Sequence, residues 1–418
     1  MTSAMPISTH ARETLALGLP LAGASLAQIA LHGSDVVMVG WYGVVPLAAV
    51  VLGASSFFIV YVVGAGFAKA VMPMVASAIA RGDEAQVRRD TRMGLWLSIA
   101  YGIAVFPVFW WSGPILLALG QDSEVSAVAQ DYLRVVGFGL VPSLCVTVLQ
   151  SYLSAFGRTQ VVLVVTLAAV ALNIAVNWLL IFGNWGFPEL GAQGAAVATI
   201  ATQVMSLLVL GVYAGRLPDL RRFHLWQRFW RPDWQAMRLV WRLGVPIGLT
   251  GLAEGGMFQA SALMMGWIGT VELAAHGIAL EVAALTFMLH VGLSSAATIR
   301  IAGLDGRGDR PALRLAAKVA IVISLGVALV SVALFLSIPK PIVALFLDMA
   351  KPESAAILAY GTVLLAVAAL FQLADGMQVV ALGLLRGVQD TRVPMWLAAV
   401  SYWLIGIPAS YVLAFPMG

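Results

Sequence analysis

Residues 17–49 read LGLPLAGASLAQIALHGSDVVMVGWYGVVPLAA, and the pattern returns without a gap at residues 243–275 as LGVPIGLTGLAEGGMFQASALMMGWIGTVELAA. The two stretches are 226 residues apart. The identical pairs include Leu17/Leu243, Gly18/Gly244, Pro20/Pro246, Met38/Met264, Gly40/Gly266, Trp41/Trp267, Gly43/Gly269, Leu47/Leu273, Ala48/Ala274 and Ala49/Ala275. Each copy predicts an apolar helix with a proline near its start and a small-residue turn at its end. The chain is therefore expected to consist of two matched halves.

The composition places both halves in a membrane. The 418 residues are 61% hydrophobic and 11% charged, and the mean hydropathy is +0.93. Soluble domains are about 45–50% apolar and about 25% charged. Hydrocarbon offers no partner to open sheet edges, so membrane spans are helices or closed barrels. The apolar runs here are too long and too uniform for barrel strands. The predicted fold class is an all-α, polytopic transmembrane helical bundle.

Eleven apolar runs are long enough to cross a bilayer, which takes about 20 residues. They lie at roughly 14–40, 46–78, 94–118, 132–156, 160–183, 191–215, 238–268, 272–300, 315–347, 354–385 and 393–415. Lys and Arg accumulate in alternate connections, whereas the others carry little positive charge beyond Lys351. The positive-inside rule therefore predicts a cytoplasmic N-terminus. No A-x-A-like site precedes the first span, so no removable signal peptide is expected.

Further repeats show how many helices each half contains. Arg81-Gly82-Asp83 returns as Arg307-Gly308-Asp309 after 226 residues, and Gly157-Arg158-Thr159 aligns with Gln389-Asp390-Thr391 after 232. These matches predict six helices in each half. Because six is an even number, the two halves are expected to cross the membrane in the same orientation, as parallel repeats. The counterpart of residues 191–215 would start near position 423, whereas the sequence ends at Gly418. We therefore expect five helices in the second half, and the sequence leaves open whether the gene is shorter or the protein trimmed.

The predicted organisation has three parts. Residues 1–215 form a six-helix N-terminal lobe, 216–242 a cytoplasmic amphipathic linker, and 243–418 a C-terminal lobe. The linker, RLPDLRRFHLWQRFWRPDWQAMRLVWR, interleaves tryptophan with arginine. Such mixtures stack nucleobases in some proteins. Beside two membrane spans, an interfacial segment on anionic headgroups is the favoured interpretation, and no nucleic acid partner is expected.

Three acids within apolar spans stand out: Asp35, Glu254 and Asp375. A charge at mid-membrane costs about 2.5–3.5 kcal/mol on insertion scales, so such residues are functional candidates. The alternative is a carboxylate that bonds neighbouring helices together. Asn173 and Asn177 are four residues apart, which places both amides on one helix face, again either as a site or as packing contacts. Matched halves with buried acids are the plan of secondary transporters.

Other polar residues give weaker signals. Lys69 is expected to extend its amine towards the cytoplasmic side. Glu281 and His290 are minor candidates in the eighth span. The RGD tripeptides are interpreted as duplicated inside turns, and no glycine-rich stretch has a phosphate-loop pattern. Cys145 is the single cysteine and the five histidines lack ligand spacing, so no disulfide, resident metal or cofactor is expected. No nucleophile and base pattern indicates an enzyme.

Taken together, several segments resemble the multidrug and toxic compound extrusion (MATE) family, in its bacterial NorM-like branch. The segments are SDVVMVGWYGVVPLAA (34–49), ARGD (80–83), LSAFGRTQ (153–160), LNIAVNWLLIFGNWGFPELGAQGAAVAT (172–199), LGVPIGLTGLAE (243–254) and LLRGVQDTRVP (384–394). The resemblance spans the whole chain and implies twelve helices, so the absent last helix is a departure. It also implies a monomeric, multi-pass protein of the bacterial inner membrane.

The resemblance further implies an antiporter that exports cationic or amphipathic drugs in exchange for Na⁺ or H⁺ by alternating access. Acids matching Glu254 and Asp375 would bind cations in the C-terminal lobe, and Asp35, Asn173 and Asn177 would form a site in the N-terminal lobe. A transported Na⁺ at these acids is the one metal expected. The alternative is a flippase for lipid-linked precursors, which would present cations to a pyrophosphate. Three acids against Lys69 favour a cationic substrate.

Overall fold

The computed structural model describes residues 6–348 and 352–415. All regular secondary structure in these two ranges is helical, which confirms the predicted all-α class. Lys351, the positive charge noted between the predicted ninth and tenth spans, lies outside the described residues.

Sixteen α-helices follow one another along the described ranges, with three short segments of other helical type. In the first part of the chain they are α1 (Ile7–Tyr42), α2 (Val44–Ala80), α3 (Glu84–Trp110), α4 (Ser112–Ala118), α5 (Ser123–Val136), α6 (Leu140–Ala155), α7 (Thr159–Phe182), α8 (Ala192–Arg216) and α9 (Pro218–Arg221). The second part contains α10 (Trp234–Ile268), α11 (Thr270–Gly306), α12 (Arg310–Ser337), α13 (Pro339–Ala344), α14 (Ser354–Gly387), α15 (Arg392–Ala398) and α16 (Ile407–Ala414). The other segments are 3₁₀ turns at Gly137–Gly139 and Asn184–Gly186 and a π-helix at Ala399–Gly406.

Ten helical stretches in the described ranges are long and apolar enough to cross a membrane. Two of them join shorter helices, Ser123–Ala155 and Arg392–Ala414. The one predicted span outside these ten is 238–268, which corresponds to α10, a helix of 35 residues with arginines in its first turns and Glu254 further along. The helix begins at Trp234, so the end of the predicted linker is already helical. The chain is a multi-pass membrane protein.

The contacts divide the chain into two compact units. One comprises residues 24–249, and the other combines residues 1–23 with residues 250–418. The division passes through α1 and through α10, the two helices that carry the opening repeat. The sequence predicted a boundary at the linker instead, and that division into lobes stays a prediction.

The repeated RGD tripeptides are compact turns between consecutive helices. Gly82 and Gly308 have φ angles of 74° and 73°, in the left-handed region that glycine adopts without strain. Asp83 then accepts a hydrogen bond from the amide of Gln86 at 2.9 Å and so caps α3. Asp309 caps α12 in the same way. The glycine and the aspartate of the tripeptide therefore have the same local structural roles in both copies, which agrees with the interpretation as a duplicated turn.

Glycine also allows two helices to meet at backbone distance in the unit of residues 24–249. A Cβ atom added to Gly66 of α2 would lie 2.3 Å from the carbonyl oxygen of Gly244 and 2.5 Å from the amide nitrogen of Gly248, both in α10. Atoms at these distances overlap, so a side chain has no room at position 66.

The second unit repeats this contact 226 residues further on. A Cβ atom at Gly292 of α11 would lie 2.5 Å from the carbonyl oxygen of Gly18 and 2.5 Å from the amide nitrogen of Ala22, both in α1. The repeat visible in the sequence is thus also a repeat of helix packing. Close approach through small residues is the usual way helices associate in lipid, where apolar burial supplies no driving force.

Arg300 joins α11 to the start of α1 in the same unit. Its side chain is 8% exposed. It donates hydrogen bonds to the His10 carbonyl oxygen at 2.6 Å, the Thr14 hydroxyl at 2.7 Å and the Glu13 carboxylate at 2.8 Å. Hydrogen bonds to a charged group contribute about 1.5–3 kcal/mol each when solvent is excluded. This cluster therefore fixes the first turns of α1.

Replacing Arg300 by glutamine is expected to lower the thermal unfolding midpoint by about 5 °C or more, because several charge-assisted bonds are lost together. Unfolding of the detergent-purified protein, followed by intrinsic fluorescence, measures the change. Arg314→Gln is the matched control, since Arg314 is an exposed arginine on the next helix. Equal midpoints for the two variants would show that the cluster adds no stability.

Candidate functional site

A buried polar cluster surrounds Asp35 where α1 meets α7 and α8. Asn173 and Asn177 donate hydrogen bonds from their amide nitrogens to Asp35 Oδ1, at 3.0 and 2.7 Å. Thr199 Oγ1 donates to Asp35 Oδ2 at 3.1 Å. Asp35 is 4% exposed, and both asparagines are fully buried. All three hydrogen bonds run from neutral donors to the two oxygens of the Asp35 carboxyl group, which accept them.

The cluster also contains acceptor oxygens besides the carboxylate. Asn173 Oδ1 accepts a hydrogen bond from the Ser34 hydroxyl at 2.6 Å and from the Asn177 amide at 3.1 Å. Asn177 Oδ1 is buried and has no hydrogen-bond partner among the described residues. A buried acceptor without a donor is costly. A proton on Asp35 or a hard cation between these oxygens would satisfy it.

A cavity of about 680 Å³ opens beside this cluster, between α1 and α7. Ser34 is part of its wall and connects it to the Asp35 network. Trp41, Trp178 and Trp185 supply aromatic surface, and the Trp178 and Trp185 rings meet edge to face with centroids 5.4 Å apart. The volume is that of a site for a drug-sized molecule, and the wall is mostly apolar.

The second unit brings Glu254 of α10 and Asp375 of α14 close enough to interact electrostatically. Asp375 is 5% exposed, whereas Glu254 is half-buried. Two neighbouring carboxylates favour a shared proton or a bound cation, because both cannot stay charged without cost. Tyr402 interacts electrostatically with both acids, and Arg386 interacts electrostatically with Glu254.

The π-helix Ala399–Gly406 places two aromatic side chains at this acid pair. Tyr402 accepts a hydrogen bond from the side-chain amide of Gln378, one turn beyond Asp375. Trp403 donates from its ring nitrogen to the carbonyl oxygen of Ala253 at 3.1 Å, next to Glu254. A π segment shifts the helix register, and such segments are frequent at functional sites. Here it turns both rings towards the acid-bearing helices.

The structure therefore brings together the five predicted residues in two groups. Asp35, Asn173 and Asn177 form one hydrogen-bonded cluster, and Glu254 and Asp375 form one electrostatic pair. Their part in binding a cation or a substrate stays a prediction. Among the described residues, no group of three or more His, Cys, Asp or Glu side chains is arranged to hold a metal.

Sequence reasoning missed several members of these groups. Thr199 is 164 residues from Asp35 along the chain, and no local pattern distinguishes it. His32 interacts electrostatically with Asp35, and the spacing of three residues on one helix could have suggested it. Tyr402 lies in the π-helix, whose register the α-helical period does not reveal. Gln378 lies in α14 and meets Tyr402 only across a contact between helices.

The weaker candidates have ordinary surroundings. His290 is buried, and its Nδ1 lies 2.9 Å from the hydroxyl of Ser324 on α12. Lys69 and Glu281 are exposed on the protein surface. His290 therefore takes part in polar packing between helices, whereas Lys69 and Glu281 have exposed side chains.

The sequence and fold are similar to known transporters. A family model described as MatE matches residues 20–179 and 246–412. The probable multidrug resistance protein NorM of Rhizobium meliloti (strain 1021) is 46% identical over 410 residues, which cover 98% of this chain and 88% of that protein. The probable NorM of Agrobacterium fabrum (strain C58) is 44% identical with the same coverage. The crystal structure of the eukaryotic MATE transporter AtDTX14 superposes with a TM-score of 0.87 at 19% identity, covering 98% of this chain and 90% of that one. At that identity, the likeness shows a shared fold.

Proposed function

Since this chain belongs to the MatE family, we propose that it is a multidrug efflux transporter of the NorM kind. It exports cationic and amphipathic compounds in exchange for Na⁺ or H⁺, by alternating access of its two helical lobes. The observation that carries the proposal is the aromatic cavity of about 680 Å³ directly beside the buried Asp35 cluster. The cavity accepts an apolar body, and the neighbouring carboxylate attracts a positive charge.

The cavity wall supports a cationic, aromatic substrate. Faces of tryptophan rings attract cations within about 6 Å, by about 0.5–1 kcal/mol when the rings are exposed as they are here. Trp41, Trp178 and Trp185 offer three such rings with few polar groups between them. An apolar wall of this kind selects for size and charge rather than for one pattern of hydrogen bonds, which suits a transporter of several drugs.

The buried acids suit the coupling ion. Carboxylate, amide and hydroxyl oxygens are the ligands that hard cations prefer, and the Asp35 cluster supplies all three kinds. The Glu254 and Asp375 pair provides a second place for a proton or Na⁺. A drug cation and a coupling ion that compete for the same negative charge displace each other, which is the thermodynamic basis of exchange.

The polarity of the cavity argues against the alternative of a flippase for lipid-linked precursors. A pyrophosphate headgroup needs arginine or lysine in the binding cavity. No basic side chain is present in the described wall of the cavity beside Asp35, and the charged group behind it is an acid. The bacterial relatives favour the bacterial inner membrane, and the arginine-rich connections favour a cytoplasmic N-terminus. In this proposal the transporter acts as a monomer.

Drug accumulation in a pump-deficient bacterial host tests this function. Expression of the wild-type chain is expected to lower ethidium accumulation and to raise resistance to fluoroquinolones. Glu254→Gln and Asp375→Asn are expected to reduce efflux at least about 10-fold, since one lost charge-assisted contact is worth about 1.5–3 kcal/mol. Imposed Na⁺ and pH gradients in membrane vesicles identify the coupling ion.

Glu272→Gln is the matched control for the two acid variants, because Glu272 lies in the first turn of α11. It removes the same charge and is expected to leave efflux intact. Drug export that is unaffected when both Glu254 and Asp375 are neutralised would contradict the proposed coupling. A wild-type chain that exports none of these cations would contradict the proposed substrate class.

A further inference from the structure

The linker after α9 is folded onto α3 rather than extended. Arg92 donates hydrogen bonds to the carbonyl oxygens of Gln227 and Arg228, at 2.9 and 2.7 Å. The ring nitrogen of Trp96 donates to the carbonyl oxygen of Phe229 at 2.9 Å. These bonds to three successive linker carbonyls fix the path of the segment that leads into α10.

A small, partly open basic cavity lies between α3 and the first turns of α10. Its volume is about 250 Å³, room for about eight water molecules. The wall includes Arg89, Arg238 and Arg242, and Asp233 is the one carboxylate among the described residues that form it. Asp233 lies 3.4 Å from Arg89. The cavity therefore has an excess of two positive charges, supplied by Arg238 and Arg242.

Exposed indole rings belong to residues next to the cavity wall along the chain, and they indicate its level in the membrane. Trp230 is 73% exposed, Trp234 71% and Trp241 56%. Tryptophan accumulates at the boundary between headgroups and acyl chains, because the ring is apolar and its N–H is polar. Since Trp234 and Trp241 lie within about one helical turn of Arg238, we expect the cavity at the depth of lipid phosphates.

From this placement we propose that the cavity binds the phosphate of one anionic phospholipid headgroup. Guanidinium groups form paired, charge-assisted hydrogen bonds with phosphate oxygens, and Arg238 and Arg242 are one helical turn apart. The volume suits a phosphodiester with a small polar head, and the indole rings contact the acyl chains. The site holds the linker at the inner leaflet. The proposal does not depend on the transported substrate.

Native mass spectrometry of the detergent-purified full chain tests the site. Phosphatidylglycerol, phosphatidylcholine and glycerol 3-phosphate are titrated as separate probes. Arg238→Gln combined with Arg242→Gln is expected to weaken phosphatidylglycerol binding about 30-fold, since each basic residue near an anionic surface contributes a factor of about five. Both arginines are exposed, so the variant is expected to keep the wild-type unfolding temperature.

Arg314→Gln combined with Lys318→Gln is the matched control, since these residues are also exposed and one turn apart, on α12. The control is expected to bind phosphatidylglycerol like the wild type. Equal losses in both double variants would show general surface attraction and overturn the site. The site would also be overturned if phosphatidylcholine bound as tightly as phosphatidylglycerol. If glycerol 3-phosphate bound as tightly as the lipid, the lipid site would be overturned in favour of a site for a free anion.

Discussion

Asp35→Asn is expected to lower drug efflux at least about 100-fold while the protein still folds and inserts. The change keeps the size of the side chain and removes the charge that three neutral donors surround. Two charge-assisted contacts of about 1.5–3 kcal/mol each would be lost to a bound cation. Asn at position 35 also adds an N–H group where the amides of Asn173 and Asn177 already donate. Ethidium efflux from proteoliposomes measures the loss.

The partners of Asp35 are expected to show graded effects in the same assay. Thr199→Val removes one donor and keeps the shape, so we expect a decrease of about 5-fold, the value of one ordinary hydrogen bond. Asp131→Asn is the matched control, because Asp131 is an exposed acid of the same unit whose contact with Arg134 spans 3.7 Å. Efflux by Asp35→Asn that equals efflux by the control would rule out a role of this charge in transport.

Gly292→Ala is expected to lower stability by about 3 kcal/mol, or the unfolding midpoint by roughly 6–12 °C. The new methyl group would lie 2.5 Å from backbone atoms of Gly18 and Ala22, and backbone cannot move aside as a flexible side chain can. Gly66→Ala is expected to have a similar effect, since the added carbon would lie 2.3 Å from the Gly244 carbonyl oxygen. Thermal unfolding in detergent gives both values.

Gly277→Ala separates packing from backbone entropy, because Gly277 belongs to the same helix as Gly292 and an added Cβ meets no atom within 4 Å. Alanine is a better helix former than glycine by about 0.5–1 kcal/mol, so this control is expected to raise the midpoint slightly. If Gly292→Ala also raised it, the close approach of α1 and α11 would not exist in the folded protein.

The repeat shows how much of the fold could be predicted from the sequence. The 226-residue offset predicted two equivalent sets of helices and turns, and the structure repeats the glycine turns of the RGD tripeptides and the capping of α3 and α12. These features are local: an aspartate caps a helix through neighbouring amides, and a glycine accepts a left-handed φ wherever the chain requires one. Features with such local causes can be predicted from the sequence.

The candidate site was predictable in part for the same reason. A carboxylate in an apolar run is costly whatever surrounds it, so Asp35, Glu254 and Asp375 were evident from the sequence. Asn173 and Asn177 followed from their spacing on one helix face. Thr199 and Tyr402 left no such signal, because each reaches its acid only across a helix contact.

The sequence by itself determined that this protein is helical, duplicated and embedded in a membrane, because hydrophobicity and helix period belong to each segment alone. Only the tertiary structure decided which helices share a polar cluster, where glycine allows backbones to touch, and how the linker folds over α3. Those outcomes depend on the distances between helices, which packing sets jointly for many distant residues.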